Sequence, residues 1–308
     1  MKISFSSFDT YSRCPLQYKF RYLDRIPIAK KPELDFGSLM HSIVENALKK
    51  DPIIPAIEES IKLYNEGFTT IVFKDQRQKD QYHGVGLEII KTFYKTLTPG
   101  LRDTIATEKR FYLPLNDRHT LSGAIDRIDK LPFGAYEVID YKTNFKPKTQ
   151  QDIDRDKQLG IYQLAVKQLW PEAKDVRLSM YFLKPDLKLT TTRQESDIKT
   201  LKEEIITTAD KIENTQEYLP KNNPLCDWCD FQKLCPLQKK KSAQADLNQT
   251  SDEDITKIID EYILAREKIA KLESNIHQHF DREKIDHIAC QNGTLARTKN
   301  KKLKVNLI

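Results

Sequence analysis

Two neighbouring apolar segments each carry charged residues in a pattern that could bind a metal ion: LSGAIDRIDK (121–130) and YEVIDYKTN (136–144). Both segments alternate apolar and polar residues, which predicts two adjacent strands. Side chains alternate faces along a strand, so Asp140 and Lys142 point the same way and Asp126 can lie opposite them. Two close carboxylates repel each other, and a divalent cation is the usual remedy. With a bound phosphate, the lysine can hold the attacking water or neutralise developing charge.

The same pattern also fits an ordinary charged surface. Asp126 and Asp129 would then be exposed turn residues, and Lys142 would be an ion-pair partner. Charged residues are common at the ends of strands, so an Asp-x-Lys motif alone favours the interpretation as an ordinary charged surface. The motifs upstream and downstream favour the chemical one.

A glutamine and a tyrosine follow in DKQLGIYQL (156–164). Gln158 and Tyr162 are spaced i, i+4, so they share one face of a predicted helix, where an amide and a hydroxyl suit a phosphate or a substrate strand. Upstream, His41 lies among apolar residues in DFGSLMHSIVENAL (35–48). A lone histidine in that setting is more often a core residue than a ligand.

Three of the five cysteines are clustered in CDWCDFQKLCP (226–236), with the spacing C-x₂-C-x₅-C. Two thiolates on one tight turn can chelate a metal ion, and three clustered cysteines need a fourth ligand. Cys14, more than 200 residues earlier and also followed by proline, is the obvious candidate. An all-cysteine set suits zinc or an iron–sulfur cluster, and the alternative is four buried, unliganded thiols. Cys290 stands apart from this set.

The chain resembles the RecB-like branch of the PD-(D/E)XK nuclease superfamily, in its iron–sulfur form. The resemblance covers about residues 1–238, and the same order of motifs occurs in AddAB-type helicase–nucleases and CRISPR-adaptation nucleases. It implies an α/β (α+β) fold with a restriction-endonuclease-like core, in which helices flank a short mixed central sheet. The segments that carry the resemblance are FGSLMH (36–41), GAIDRID (123–129), VIDYKT (138–143), QLGIY (158–162), Cys14 and CDWCDFQKLC (226–235).

The resemblance implies a Mg²⁺ or Mn²⁺ ion held by His41, Asp126 and Asp140, with the Tyr141 carbonyl as a further ligand. It implies that Lys142 is the catalytic lysine. An imidazole ligand makes Mn²⁺ a plausible substitute for Mg²⁺.

The remaining motifs acquire roles by the same resemblance. Gln158 and Tyr162 correspond to the supporting catalytic motif, and Glu108 is an additional acidic residue near the site. Four cysteines correspond to the ligands of a [4Fe–4S] cluster that clasps the N-terminal helix to the C-terminal end of the domain, with Zn²⁺ as the alternative occupant: Cys14, Cys226, Cys229 and Cys235.

The elements that must position these residues follow from periodicity. Residues 1–50 are predicted to be helical, residues 50–98 to be a helical insertion, and residues 251–281 to form a long charged helix. Asn292-Gly293 predicts a hairpin turn within a small β-ribbon at 285–307. Three strands are expected at 104–113, 119–130 and 135–142, a helix at 155–170, two strands within 175–193 and a helix from Ser196 to Tyr218. We therefore expect a nuclease domain over 1–238 and a C-terminal extension, part helical and part β, over 239–308.

Composition limits the remaining function classes. The 308 residues carry 51 Lys+Arg and 45 Asp+Glu, a formal charge of +6, and are 39% apolar and 31% charged. This composition predicts a water-soluble globular protein. No apolar run approaches a membrane span and the N-terminus lacks the apolar segment of a signal peptide, so a cytoplasmic location is expected. No phosphate-binding glycine loop or dinucleotide fingerprint is found, which argues against a nucleotide-driven motor in this chain.

The last dozen residues are basic and contain no acidic residue. They predict either a DNA-backbone contact or a solvated terminus, through Arg297, Lys299, Lys301, Lys302 and Lys304.

The sequence therefore predicts a metal-dependent DNA nuclease, an exonuclease acting on single strands or DNA ends. Repair, recombination and mobile-element or CRISPR-related processing are the candidate pathways. The partners expected are DNA and, because helicase motifs are missing, a helicase or another recombination or CRISPR protein supplied in trans, with no membrane involved. The alternative is a non-catalytic iron–sulfur or zinc subunit that binds nucleic acid within a helicase–nuclease complex.

Overall fold

The computed structural model describes residues 1–49, 53–97, 103–239, 252–290, 293–298 and 302–307. The chain divides into two compact units, Met1–Cys235 and Pro236–Ile308. Within the described residues, no helix has the length and apolarity needed to cross a bilayer. A nuclease domain ending at residue 238 stays a prediction.

A mixed six-stranded sheet forms the centre of the first unit. Strand β3 has β2 along one edge, antiparallel, while its other edge is shared by β1 at its start, parallel, and β4 at its end, antiparallel. The sheet then continues through β5, parallel to β4, and β6, antiparallel to β5. The strands are β1 (Lys2–Ser4), β2 (Asp103–Pro114), β3 (Thr120–Lys130), β4 (Tyr136–Lys142), β5 (Val176–Phe182) and β6 (Leu187–Thr191).

Eight α-helices accompany this sheet within the described residues of the first unit: α1 (Phe5–Arg13), α2 (Pro15–Tyr18), α3 (Pro32–Leu48), α4 (Ile57–Phe68), α5 (Gln76–Thr96), α6 (Gln150–Asp154), α7 (Lys157–Leu169) and α8 (Glu195–Asn214). They bury two apolar cores. One joins α1, α7 and α8 to the sheet, around Val138 and Leu178. The other joins α3, α4 and α5 to the sheet, around Ile139 and Tyr141. Helices therefore flank a central mixed sheet, and the predicted fold class is confirmed.

The prediction that the first 50 residues are all helical was wrong at the very start. Lys2–Ser4 is a strand that pairs with Thr120–Ser122 of β3. Three residues are too few to show a period, and their hydrogen-bonding partners lie far away in the sequence. Ser4 ends the strand and caps α1, since its hydroxyl accepts the backbone N–H of Ser7 at 3.2 Å.

The described part of the second unit includes a long helix and a three-stranded antiparallel sheet. Its elements are α9 (Asp252–Glu283), β7 (His287–Cys290), β8 (Gly293–Arg297) and β9 (Leu303–Leu307). Phe280 of α9 is fully buried, and the Arg297 guanidinium lies 5.5 Å from its ring centroid. Asn292 of the predicted hairpin turn lies outside the described residues.

Candidate active site

The carboxylate of Asp126 lies where strands β3 and β4 separate. Their last pair is Arg127 opposite Ile139, so the same register brings Asp126 to the level of Asp140. Instead of continuing the ladder, Asp126 Oδ2 accepts the backbone N–H of Tyr141 at 2.8 Å. The side chain thus replaces a strand–strand hydrogen bond at the point where the sheet opens.

Three potential metal ligands converge at this opening. The ligand atoms of His41, Glu108 and Asp126 all lie within 4.8 Å of one another, and all three side chains are partly exposed. His41, from α3, places Nδ1 3.3 Å from Asp126 Oδ2. Burial lowers the pKa of His41, but the Asp126 carboxylate outweighs this effect, so the pKa is raised. One imidazole nitrogen and two carboxylates form a donor set that fits a Mg²⁺ or Mn²⁺ ion.

Glu108 reaches this group through an uncommon backbone conformation. Its φ is 45°, although it stands inside β2. Burial raises the pKa of Glu108, and the charge of Asp126 raises it further. The sequence identified Glu108 only as an additional acidic residue. The antiparallel register of β2 with β3, in which Lys109 faces Ile125, is what brings it to the level of Asp126.

Asp140 lies beside this group but is engaged differently. Its side chain is 2% exposed, and its Oδ2 lies 2.6 Å from Lys142 Nζ. Burial lowers the pKa of Lys142, but attraction to the Asp140 carboxylate outweighs burial and raises it, which keeps the ammonium charged. Asp140 and Lys142 thus form an ion pair inside the unit, as the shared strand face predicted.

Helix α7 closes a ring of hydrogen bonds around that ion pair. Lys142 Nζ donates to Gln158 Oε1 at 3.1 Å, and Gln158 Nε2 donates to the Tyr162 hydroxyl at 2.8 Å. The Tyr162 hydroxyl donates to Asp140 Oδ1 at 3.2 Å. Asp156 caps this helix by accepting the Leu159 N–H at 3.1 Å, which fixes the turn that carries Gln158.

Two residues of β3 form a second buried ion pair. Arg127 Nε donates to Asp129 Oδ1 at 2.7 Å, and Arg127 Nη1 donates to the Tyr141 hydroxyl at 3.3 Å. Asp129 is only 4% exposed. The alternative interpretation of Asp129 as an exposed turn residue was therefore wrong.

The metal-ligand group opens into a cleft of about 1640 Å³ within the first unit. Its walls include residues of α3, β2 and the segment after β4, together with the loop that carries the clustered cysteines. His41, Glu108 and Asp126 all line this cleft.

The four cysteines of the predicted cluster are half-buried and none forms a disulfide. Backbone N–H groups reach three of the sulfurs: Lys221 N lies 3.5 Å from Cys14 Sγ, Asn223 N lies 3.3 Å from Cys226 Sγ, and the Phe231 N–H donates to Cys229. Burial raises the pKa of Cys229, and the neighbouring Cys14 and Cys235 raise it further. In the described part of the chain, the groups of three or more ligand atoms within 4.8 Å of one another do not include these sulfurs.

The basic tail is only partly described. Arg297 forms ion pairs with Asp281 and Asp286 of its own unit, and its side chain is 14% exposed. Lys302 and Lys304 are exposed. Lys299 and Lys301 lie outside the described residues. A role for these five residues in DNA binding stays a prediction.

Fold and site together define a centre of three carboxylates, one histidine and one lysine at the separation of two strands. Residues 2–236 match the PD-(D/E)XK nuclease superfamily, and the chain therefore belongs to that superfamily. The predicted membership is confirmed, while the iron–sulfur form stays a prediction.

Two curated relatives are each named as a subunit of an ATP-dependent helicase/deoxyribonuclease. The protein from Streptococcus pyogenes is 26% identical over 175 residues, which are 51% of this chain and 16% of the relative. The protein from Streptococcus agalactiae is 26% identical over 152 residues, which are 47% of this chain and 14% of the relative. The chain thus spans a small part of the length of these relatives. A solved structure of a candidate exonuclease from Eubacterium rectale is 14% identical, with a TM-score of 0.46 over 74% of this chain and 86% of that one.

Proposed function

We propose that this chain is a metal-dependent DNA nuclease, an exonuclease that acts on single strands or DNA ends. The observation that carries the proposal is the group of His41, Glu108 and Asp126 beside the Asp140–Lys142 ion pair. DNA is favoured as the substrate because the curated relatives are named deoxyribonuclease subunits.

His41, Glu108 and Asp126 would hold a Mg²⁺ or Mn²⁺ ion, with Asp140 and the Tyr141 carbonyl as the further ligands that the resemblance implies. When bound, such an ion supplies Lewis-acid chemistry for a phosphodiester. The Lys142 ammonium would orient the attacking water or bear part of the charge that develops on the phosphate. Gln158 and Tyr162 would hold the lysine and Asp140 in that orientation through their hydrogen-bond ring.

The cysteines would hold a [4Fe–4S] cluster with a structural role, and zinc is the alternative. The charges of Cys14 and Cys235 act on Cys229, which supports one group shared by these cysteines. Anaerobic purification should give a brown protein that absorbs near 400 nm under the cluster proposal, whereas a colourless protein with stoichiometric zinc would contradict it.

The catalytic proposal predicts that the Asp140–Lys142 pair is indispensable. Asp140→Asn and Lys142→Met should each lower cleavage of end-labelled DNA by at least about a hundredfold, because charge stabilisation in the transition state is lost. The assay uses single- and double-stranded DNA labelled at either end, with Mn²⁺ or Mg²⁺ and an EDTA control. It also reports the polarity of cleavage.

Lys79→Met is the matched control, since Lys79 is an exposed lysine of α5 away from the cleft. It should leave cleavage unchanged. Cleavage that survives both site substitutions, or that persists in EDTA, would contradict the proposal.

A helicase partner in trans belongs to the same proposal, because the relatives are named helicase/deoxyribonuclease subunits and this chain spans a small part of them. The alternative function is a non-catalytic, nucleic-acid-binding subunit of such a complex. It predicts DNA binding without cleavage under every metal condition tested.

A further inference from the structure

Four large apolar side chains are exposed in one place, the cleft that contains the metal-ligand group. Single exposed apolar residues are ordinary on a protein surface, but a cluster that lines a concave site indicates a ligand. The four are Leu34 (62% exposed), Phe145 (46%), Leu225 (48%) and Trp228 (80%).

The two aromatic residues belong to different segments that line the cleft. Trp228 stands between two of the clustered cysteines, in the loop that follows α8. Phe145 comes three residues after Lys142. Its ring is held by Tyr82, at 6.1 Å between centroids, and by the Lys184 ammonium, 3.2 Å from its centroid.

Charged residues on the cleft walls define how a nucleic acid would fit. Arg110 and Lys146 would attract phosphates, whereas Glu33 and Glu45 of α3 would repel them. The aromatic side chains carry no positive charge that would bind a phosphate. Their flat apolar rings can instead stack on the faces of nucleobases. Bases in a duplex are already stacked on one another, so only an unpaired strand offers such faces.

We propose that Trp228 and Phe145 form a stacking subsite for the unpaired bases of a DNA strand whose scissile phosphate lies at His41 and Asp126. This inference rests on the proposed nuclease function and specifies the substrate as single-stranded. Stacking on every base type makes the subsite tolerant of sequence.

The test compares two DNA strands that have the same phosphate charge, of which only one carries bases. A fluorescein-labelled thymidine 20-mer and an abasic 20-mer of equal charge are titrated with the full chain in EDTA, and binding is read by fluorescence anisotropy. The chain should prefer the strand with bases. Trp228→Ala and Phe145→Ala should each weaken binding of that strand about five- to hundredfold, and should leave the abasic strand unaffected.

Phe133→Ala is the matched control, because Phe133 is 95% exposed and does not line the cleft. It should change neither affinity. Equal binding of the two strands by the unmodified chain, or an undiminished preference in both cleft variants, would overturn the subsite. Binding preference with no cleavage would contradict the nuclease proposal alone, and cleavage without any preference would contradict the subsite alone.

Helix α9 carries a second and independent feature, a heptad repeat of apolar residues. Positions a and d of the repeat hold Ile255, Ile258, Tyr262, Ala265, Ile269, Leu272 and Ile276. The large residues from Ile255 to Leu272 at these positions are 38–64% exposed. Such a stripe over three heptads is typical of a coiled coil.

The flanking charges specify the partner and its direction. In a parallel pair of helices, position g of one helix faces position e of the next heptad on the other. With two copies of α9, Glu261 would face Arg266 and Lys268 would face Glu273, and both contacts join opposite charges. Ile269 at an a position followed by Leu272 at a d position is the combination that favours two strands.

We infer that α9 forms a parallel two-stranded coiled coil with α9 of a second copy of this chain. Ile259, at an e position, would flank the seam. Ile263 and Leu264 lie at b and c, outside the seam.

Sedimentation equilibrium of the full chain should therefore give twice the 36.0 kDa mass of one chain. Tyr262→Lys together with Ile269→Lys should give the single-chain mass, because like charges would meet in the seam. Glu261→Arg should weaken dimerisation roughly two- to thirtyfold by placing two arginines opposite each other in both symmetric contacts.

Adding Arg266→Glu to Glu261→Arg should restore the affinity, because the exchanged pair is again attractive in the parallel arrangement. Glu267→Lys, at an f position facing away from the seam, is the control and should have no effect. A single-chain mass for the unmodified protein, a larger assembly, or a double variant as weak as Glu261→Arg alone would overturn the inference.

Discussion

Glu108 combines a position among potential metal ligands with a backbone cost. A φ of 45° places a side-chain-bearing residue in the left-handed region, which costs about 1–2 kcal/mol relative to an ordinary strand conformation. The same conformation brings its carboxylate into the group with His41 and Asp126. Strained backbone conformations are concentrated at functional sites, where they lower stability but position the side chains.

Two substitutions at Glu108 separate the backbone cost from the chemistry. Glu108→Ala and Glu108→Gly both remove the carboxylate and should both lower cleavage. Only glycine relieves the strain, so Glu108→Gly should have a free energy of unfolding about 1 kcal/mol above that of Glu108→Ala. Urea denaturation of the two variants measures the difference. Equal stabilities would show that the left-handed conformation carries no cost.

Arg127 and Asp129, both on β3, form the second buried ion pair. Among the described residues, Arg127→Met leaves the buried Asp129 carboxylate with the Thr104 hydroxyl, at 2.9 Å, as its remaining side-chain donor. Breaking such a pair from one side should lower the free energy of unfolding by about 3–5 kcal/mol. Arg127→Met together with Asp129→Leu removes both charges and should recover much of that loss. A double variant no more stable than Arg127→Met would contradict this account.

The residues of the site were predictable from sequence to the extent that strand alternation reveals them. Asp140 and Lys142 share a face because they are two apart on one strand, and the structure has them in contact. Glu108 was only suggested, because its position depends on the register of β2 with β3. Register is fixed by the connection between the strands and by burial, which a single sequence does not specify.

Helices α4 and α5 pack so closely that one glycine is required. A Cβ on Gly86 would lie 2.2 Å from the Tyr64 hydroxyl oxygen. Tyr64 cannot move aside easily, because it is fully buried and its hydroxyl lies 3.2 and 3.1 Å from the carbonyl oxygens of Tyr82 and His83. The contact therefore sets the distance between two helices of the core that supports α3 and His41.

Alanine substitutions at two glycines of α5 should have opposite signs. Gly86→Ala should lower the free energy of unfolding by about 1–3 kcal/mol through overpacking against Tyr64. Gly84→Ala should raise it by up to about 1 kcal/mol, because nothing lies within 4 Å of the added Cβ and alanine favours the helix. Urea denaturation checks both. A higher free energy of unfolding for both variants would show that helix propensity, not packing, determines the effect.

The elements themselves were predicted best where they are long. A helical insertion was expected over residues 50–98, and α4 and α5 lie in that region. Strand β1 was missed because it exists only through pairing with β3, about 120 residues away in sequence. The regular spacing of apolar residues identifies an amphipathic helix from its local sequence, whereas a three-residue strand depends on its pairing partner.

Within the first unit, the N-terminal segment is in contact with the segment that follows α8. The Tyr11 hydroxyl lies 2.6 Å from the Thr215 hydroxyl, and Arg21 Nη2 donates to Asp230 at 2.8 Å. Phe20 packs on Phe231 at 5.4 Å between centroids. Cys14 and the three clustered cysteines belong to these same two segments, so a group bound by the four sulfurs would strengthen a junction that the protein already forms.

That junction gives a prediction about the stability of the whole unit. If Cys14 and the three clustered cysteines share one bound group, the group closes a loop of more than 200 residues, and its loss should lower the free energy of unfolding by about 3–5 kcal/mol, by analogy with a long-loop crosslink. Cys14→Ala and Cys235→Ala should each lower the thermal unfolding midpoint and abolish the visible absorption or the bound zinc. Cys290→Ala, which removes the one cysteine outside the set, is the matched control and should change neither. If Cys14→Ala left metal content and midpoint unchanged, Cys14 would not be a ligand, and the junction would depend on the aromatic and ionic contacts alone.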